Sequence, residues 1–131
     1  MENAVKYRFH HRHLVVDDVE KTVTFYRDVL GARKVQEVVY RGRPIVGLEM
    51  EGMSLTISNQ LHAGVNDHIG LTVDNFEAAI AELRKSGVEF VIEPTVQDTV
   101  KYAFFKDAAG TILELVKFAG PYWDSTGNKT A

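Results

Sequence analysis

Apolar and polar residues alternate along most of the chain, and in two segments apolar residues instead recur every three or four positions. Alternation predicts β-strands, and the longer period predicts amphipathic helices. The predicted strands are residues 7–16, 33–41, 44–50, 53–59, 68–73, 88–93, 100–106 and 111–117. A predicted helix follows the first strand and another follows the fifth, so the order strand, helix, three strands occurs twice.

Each predicted helix starts at a capping side chain and ends at a glycine. The caps and terminal glycines are Asp17 or Asp18 with Gly31, and Asp74 or Asn75 with Gly87. The first helix has an apolar stripe of Val19, Val23, Tyr26 and Leu30, and we assign Phe25 to the core beside it.

The two halves of the chain form an internal repeat. His11 and His68 are 57 positions apart, and the same interval separates Arg27 from Arg84. We therefore predict an α+β fold in which two βαβββ modules form a curled mixed sheet around a central cavity. The expected single domain covers residues 1–131, with modules at about 7–60 and 66–118 and an irregular tail at 119–131, where Tyr122 and Trp123 are expected to pack back.

Composition narrows the class of function. The formal net charge is −3 and the pI is near 5.9, so a nucleic-acid partner is not expected. There is no cysteine, which excludes thiolate ligands and thiol nucleophiles and leaves histidine and carboxylate side chains as metal ligands. No apolar stretch approaches the length of a membrane span, so we expect no membrane partner and a cytoplasmic location.

Three residues with metal-binding side chains occupy equivalent positions in the repeat. His11 and His68 lie on the first strand of each half, and Glu114 lies on the last strand of the second half. The hairpin glycines Gly52 and Gly110 differ by 58 positions, and the same shift relates Glu114 to Thr56. Alternation turns these positions towards the concave face. We predict that His11, His68 and Glu114 bind one divalent transition metal: Fe, Mn, Zn, Ni or Co.

Other side chains on the same face are candidates for chemistry. His13, two residues after His11, is a candidate general base, substrate contact or support for a ligand. Tyr102 and Phe104 share the cavity face of their strand, so they form an aromatic wall in which the Tyr102 hydroxyl can donate to substrate. Thr56 either contacts a water on the metal or fills space. Packing alone is the alternative for each.

The stretches His11-xx-LVVDDVEKTVTFYRDVLG, DHIGLTVDNFEAAIAELRKSGV and FFKDAAGTILELV resemble the vicinal-oxygen-chelate superfamily, which includes glyoxalase I, fosfomycin-resistance transferases, extradiol dioxygenases, methylmalonyl-CoA epimerase and bleomycin-binding proteins. The resemblance implies the same fold, often completed as a homodimer, and His11 rather than His10 or His13 as the first ligand. Glyoxalase I and the epimerase usually have a fourth ligand, Glu or Gln, where this chain has Thr56. That departure argues against glyoxalase I itself.

We therefore expect a metal-dependent enzyme that acts on a small substrate chelating the metal through oxygen. The first expectation is a lyase or isomerase that shifts a proton beside a carbonyl, with His13 or a metal-bound hydroxide as base. The second is an Fe(II) extradiol-type dioxygenase, which the set of two histidines and one carboxylate favours. The third is a metal-free protein that binds an aromatic antibiotic, as bleomycin-resistance proteins do.

Overall fold

A computed structural model describes residues 5–118 of the chain, so the predicted tail with Tyr122 and Trp123 lies outside the described residues. The elements follow the predicted order twice. The first half contains β1 (Arg8–Val15), α1 (Val19–Asp28), β2 (Arg33–Tyr40), β3 (Arg43–Met50) and β4 (Met53–Ser58). The second half contains β5 (His68–Thr72), α2 (Phe76–Lys85), β6 (Phe90–Gln97), β7 (Val100–Lys106) and β8 (Ile112–Phe118).

All eight strands belong to one mixed sheet, in the order β2-β3-β4-β1-β5-β8-β7-β6. Within each half the first and last strands pair in parallel, β1 with β4 and β5 with β8. The two halves join where β1 and β5 pair antiparallel. The sheet is curled but not closed, and the expected fold class is confirmed. The first strands of both modules therefore lie side by side at its centre.

Both helices pack on the convex side of the sheet. Asp18 and Asn75 are the N-caps, accepting hydrogen bonds from backbone amides three residues on. Val23 of α1 packs with Leu48 and Ile57 of the sheet, which are both 0% exposed. Burying each of these two side chains stabilises the fold by roughly 1.5–3 kcal/mol. With the helices covering one face, the other face is left for the cavity.

Two details of the helix prediction were wrong. Phe25 is 50% exposed and not part of the core. It follows the buried Val23 by only two residues, which turns it to the other side of the helix. Leu30 is 47% exposed because α1 ends at Asp28, before the stripe reaches it.

The sixth strand extends further than predicted, through Pro94 to Gln97. Proline cannot donate a hydrogen bond to a neighbouring strand, so Pro94 would interrupt the pairing of a central strand. However, β6 is an edge strand, and its register with β7 shifts between Ile92 and Thr95. Pro94 is tolerated at this irregularity.

Helices α1 and α2 are each ten residues long, and within residues 5–118 neither they nor any other helix could span a membrane.

Candidate metal centre and cavity

The concave face of the sheet encloses a cavity of about 510 Å³. Strands β1, β5 and β8 cross beneath it, and alternation turns His11, His13, His68 and Glu114 towards it. The opposite sides of these strands carry residues such as Leu14 and Leu115, which pack against the helices. The four polar side chains therefore share the floor of one cavity, although they come from both halves of the chain.

His11, His68 and Glu114 lie close together. Glu114 Oε1 is 3.5 Å from His11 Nε2 and 3.8 Å from His68 Nε2. Residues 57 and 46 positions apart in the sequence meet because β5 pairs with both β1 and β8. The separations are larger than a hydrogen bond and suit three groups arranged around a cation.

Gly70 makes room for one of these groups. It pairs with His11 on β1 and with Glu114 on β8. A Cβ atom at Gly70 would be 2.2 Å from His11 Cε1 and 2.5 Å from His11 Nδ1. The imidazole of His11 thus occupies the space that any larger residue at position 70 would fill.

The protonation states of these groups suit metal binding. Burial lowers the pKa of His11 to about 4, which outweighs the opposing effect of the nearby Glu114 carboxylate. Burial alone would raise the pKa of Glu114, but the neighbouring imidazoles of His68 and His11 lower it to about 2. At neutral pH the site therefore combines an ionised carboxylate with a neutral His11, and these are the forms that bind metals.

Hydrogen bonds orient both imidazoles. His68 Nδ1 is 2.8 Å from the carbonyl oxygen of Asn66, which can only accept, so Nδ1 carries the proton and Nε2 the lone pair. That Nε2 atom is buried and has no hydrogen-bond partner among the described residues. His11 Nδ1 is 2.8 Å from His10 Nδ1, and in the tautomer in which His11 donates this bond its Nε2 carries the lone pair for the centre. The donor set fits a divalent cation.

His13 belongs to the same cluster. One ring nitrogen each of His11, His13 and His68 lies within 4.8 Å of the others. His13 Nε2 is 2.7 Å from the hydroxyl of Ser58, and burial, followed by the nearby His68 and His11, lowers the pKa of His13 to about 3. His13 is therefore neutral at neutral pH.

Thr56 lines the cavity but brings no charge to it. Its register partner on β1 is His13. Another carboxylate on a neighbouring strand, Glu49, turns away and accepts from the backbone amide of Gly52 at 2.7 Å. Among the described residues, Glu114 is the carboxylate that lies within 4 Å of the histidine cluster.

Two aromatic residues of β7, Tyr102 and Phe104, form one wall of the cavity. Tyr102 and Phe104 are 8% and 1% exposed, and their rings are 6.0 Å apart. Burial and the adjacent Tyr40 raise the pKa of Tyr102, so its hydroxyl keeps its proton at neutral pH. The rest of the lining is largely apolar and includes Val38, Ile45, Leu61, Val65, Val100 and Val116.

Sequence reasoning missed two histidines of the site. His62 lines the cavity with its ring 5.2 Å from those of Tyr102 and Phe104, and burial lowers its pKa. It lies in the polar connector between the modules, where periodicity gives no direction to a side chain. His10 orients His11, and only the run of histidines in residues 10–13 could have indicated it.

The mouth of the cavity is bridged by the two edge strands. Tyr40, at the end of β2, donates a hydrogen bond of 2.9 Å to Gln97 Oε1, at the end of β6. Arg41 contacts the same amide oxygen at 3.4 Å, and its guanidinium lies 5.0 Å from the Tyr40 ring centre. The outer hairpins of the two halves thus meet above the histidines.

Comparison with known proteins relates this architecture to one enzyme family. The chain is 31% identical over 128 residues to the mitochondrial methylmalonyl-CoA epimerase of Mus musculus, covering 82% of this chain and 71% of that protein. The structure matches methylmalonyl-CoA epimerase from Mycobacterium tuberculosis with a TM-score of 0.67 and 22% identity, over 86% of this chain and 89% of the other.

A Streptomyces coelicolor methylmalonyl-CoA epimerase variant in complex with 2-nitronate-propionyl-CoA matches with a TM-score of 0.69 and 21% identity, covering 89% of this chain and 97% of the other. The family model for the Glyoxalase/Bleomycin resistance protein/Dioxygenase superfamily matches residues 8–115. The expectation of an enzyme with this fold is confirmed by these relatives. The chain belongs to the Glyoxalase/Bleomycin resistance protein/Dioxygenase superfamily.

Proposed function

We propose that the protein is a divalent-metal-dependent isomerase that moves a proton on the carbon beside a carbonyl group of a small substrate. The observation that carries this proposal is the convergence of His11, His68 and Glu114 on the floor of a largely apolar cavity. Isomerase chemistry is preferred to lyase chemistry because the curated relatives are epimerases. Acyl-CoA thioesters are the first substrates to test, since that class is named for those relatives.

His11, His68 and Glu114 would hold the cation. A divalent cation supplies Lewis acidity, which stabilises the negative charge that develops on a substrate oxygen when a neighbouring C–H proton leaves. The ionised Glu114 would offset part of the cation's charge. Fe, Mn, Zn, Ni and Co all remain compatible with this donor set.

Two further neutral imidazoles are available to move the proton. His13 lies within the histidine cluster, and His62 lies higher, against the aromatic wall. The Tyr102 hydroxyl, which keeps its proton at neutral pH, would donate a hydrogen bond to a substrate oxygen. Thr56 and Phe104 would contact the substrate as parts of the opposite walls.

The cavity suits a small acyl group. Its volume of about 510 Å³ lies within the range of roughly 300–1,000 Å³ typical of small-molecule sites. Arg41 lies at the mouth, where a cation favours the anionic part of a ligand that extends out of the cavity. An acyl group attached to a larger anionic carrier matches the largely apolar walls and the cationic Arg41 beside the mouth.

The set of two histidines and one carboxylate also supports a second candidate, Fe(II)-dependent oxygen insertion into a catechol-like ring. The apolar cavity supports a third, the metal-free binding of an aromatic antibiotic. Homodimerisation and a cytoplasmic location stay predictions.

Metal content and isotope exchange separate these candidates. Protein purified without added metal should contain about one equivalent of transition metal per chain, measured by elemental analysis. The loaded protein should exchange the C2 proton of methylmalonyl-CoA or another 2-substituted acyl-CoA for deuterium in D₂O, followed by NMR, and His68→Ala should abolish this exchange.

Oxygen consumption with a catechol by the iron-loaded protein, without proton exchange, would identify the dioxygenase. Absence of metal together with no uptake on titration would overturn the enzyme proposal in favour of the binding protein.

A further inference from the structure

The histidine cluster contains one more member than the repeat predicts. His13 is 6% exposed, compared with 7% for His11 and 3% for His68. His13 and His68 are register partners on β1 and β5, and their ring centres are 4.5 Å apart with an interplanar angle of 34°. Three imidazoles, equally buried, thus face one point on the floor of the cavity.

The hydrogen bonds of His13 follow the pattern of a metal ligand. Ser58 Oγ donates to the carbonyl oxygen of Asn59 at 2.7 Å, so its single proton is used there. It must therefore accept from His13 Nε2, 2.7 Å away, which leaves the lone pair of His13 on Nδ1. Metal-binding imidazoles usually donate their other N–H to an oxygen in this way, as His68 does to Asn66.

The internal repeat shows which residue of the second half corresponds to His13. His13 corresponds to Gly70, 57 positions later, and Thr56 corresponds to Glu114. His13 pairs with Thr56 across the parallel β1–β4 contact, as Gly70 pairs with Glu114 across β5–β8. In each pair one residue is small and its partner is long and polar, but the two roles are exchanged between the halves.

We propose that His13 is a fourth protein ligand of the cation, supplied by β1 in the place that the repeat assigns to residue 56 on β4. This inference rests on the proposed function, because it requires a cation at His11, His68 and Glu114. As a ligand, His13 would not also act as the base that accepts the proton. The remaining cavity imidazole, His62, then takes the role of moving the proton.

Cobalt alone serves as the probe. Co²⁺ affinity is measured on the full chain by competition with a chromophoric chelator, and the number of bound imidazoles is counted by ¹H NMR. Each imidazole bound to paramagnetic Co²⁺ gives one strongly shifted N–H resonance that disappears in D₂O. We expect three such resonances for the unaltered protein and two for His13→Ala.

His13→Ala should lower Co²⁺ affinity by more than about 100-fold, beyond the 10–100-fold that loss of an outer hydrogen-bond partner costs. His62→Ala is the matched control, a cavity histidine outside the cluster, and should leave the affinity unchanged. Adding Thr56→Glu to His13→Ala should restore most of the affinity, because a carboxylate at position 56 would mirror Glu114. This recovery would exclude misfolding as the cause of the loss.

Two shifted N–H resonances in the unaltered protein, or wild-type affinity in His13→Ala while His68→Ala loses it, would overturn this inference alone. Failure of the unaltered protein to bind Co²⁺ would overturn the inference together with the proposed metal centre.

Discussion

Gly70 lies against the imidazole of His11, and a Cβ atom at Gly70 would be only 2.2 Å from His11 Cε1. The Gly70→Ala substitution must therefore displace that ring. We predict that Gly70→Ala lowers Co²⁺ affinity at least about 10-fold, comparable to the loss of a group that holds a ligand in place. Chelator competition measures this effect.

Gly47→Ala is the control for adding a methyl group to a strand of the same sheet. Its Cβ would meet Cγ of Gln36, a side chain of β2, at 2.9 Å, and would have no histidine atom among its nearest neighbours. Both variants should lose some stability, but Gly47→Ala should bind Co²⁺ as tightly as the unaltered protein. Equal affinities for both variants would contradict the position of the metal centre.

The hydroxyl of Ser58 fixes the proton of His13 on Nε2. Ser58→Ala removes this acceptor, so the imidazole can place its proton on either nitrogen. We predict a 10–100-fold loss of Co²⁺ affinity. Ser54→Ala is the matched control, since Ser54 is a buried serine on the same face of β4. Unchanged affinity in Ser58→Ala would argue that His13 does not bind the cation.

Substitution of His62 should lower the rate of turnover without changing the affinity for metal. As the residue proposed to move the proton, His62 should contribute roughly 10²–10⁴-fold to the rate of deuterium exchange. His62→Ala should therefore lower kcat by about that factor and leave Co²⁺ affinity intact. Tyr102→Phe, which keeps the aromatic ring and removes only the hydroxyl, should have a smaller effect on kcat. A normal rate of deuterium exchange in His62→Ala would show that another group accepts the proton.

Stability at high pH should depend on Tyr7. Its hydroxyl donates to Glu82 Oε1 at 2.8 Å, and burial followed by this carboxylate raises the pKa of Tyr7 from 10.0 to about 12. Between these two values the unfolded chain loses the proton that the folded chain keeps. The free energy of unfolding should therefore be unaffected below pH 10 and should fall as the pH rises above it.

Urea unfolding from pH 8 to 11 tests this prediction. In Tyr7→Phe the fall above pH 10 should be reduced, and in Glu82→Gln it should be intermediate because only the burial effect remains. A curve for Tyr7→Phe that matches the unaltered protein would show that other groups cause the alkaline loss.

Much of the site could be predicted from the sequence because strands impose a strict geometry on it. Alternation fixes which residues of a strand face the cavity, and the 57-residue interval places His11 and His68 at equivalent positions. Alternation and the repeat together indicated that His11, His68 and Glu114 face the same cavity, although they lie far apart in the sequence. The orientation of Tyr102 and Phe104 followed from the same alternation.

The remaining features depend on contacts that no local pattern encodes. His62 lies in a connector without periodicity, so its place beside Tyr102 required the folded chain. The bond from His13 to Ser58 spans 45 positions and two strands. The extension of β6 through Pro94 depended on its being an edge strand, which is a property of the whole sheet.

Tyr40 and Gln97, which meet above the cavity, are separated by 57 positions, the same interval as His11 and His68. The approximate two-fold axis of the fold therefore runs from the histidines to the mouth. A fully symmetric cavity would bind an unsymmetrical molecule equally well in two opposite orientations. Tyr102 corresponds to Ile45 across this axis, so an aromatic ring on one wall faces an aliphatic side chain on the other. This difference between the walls favours one direction of binding for an unsymmetrical ligand.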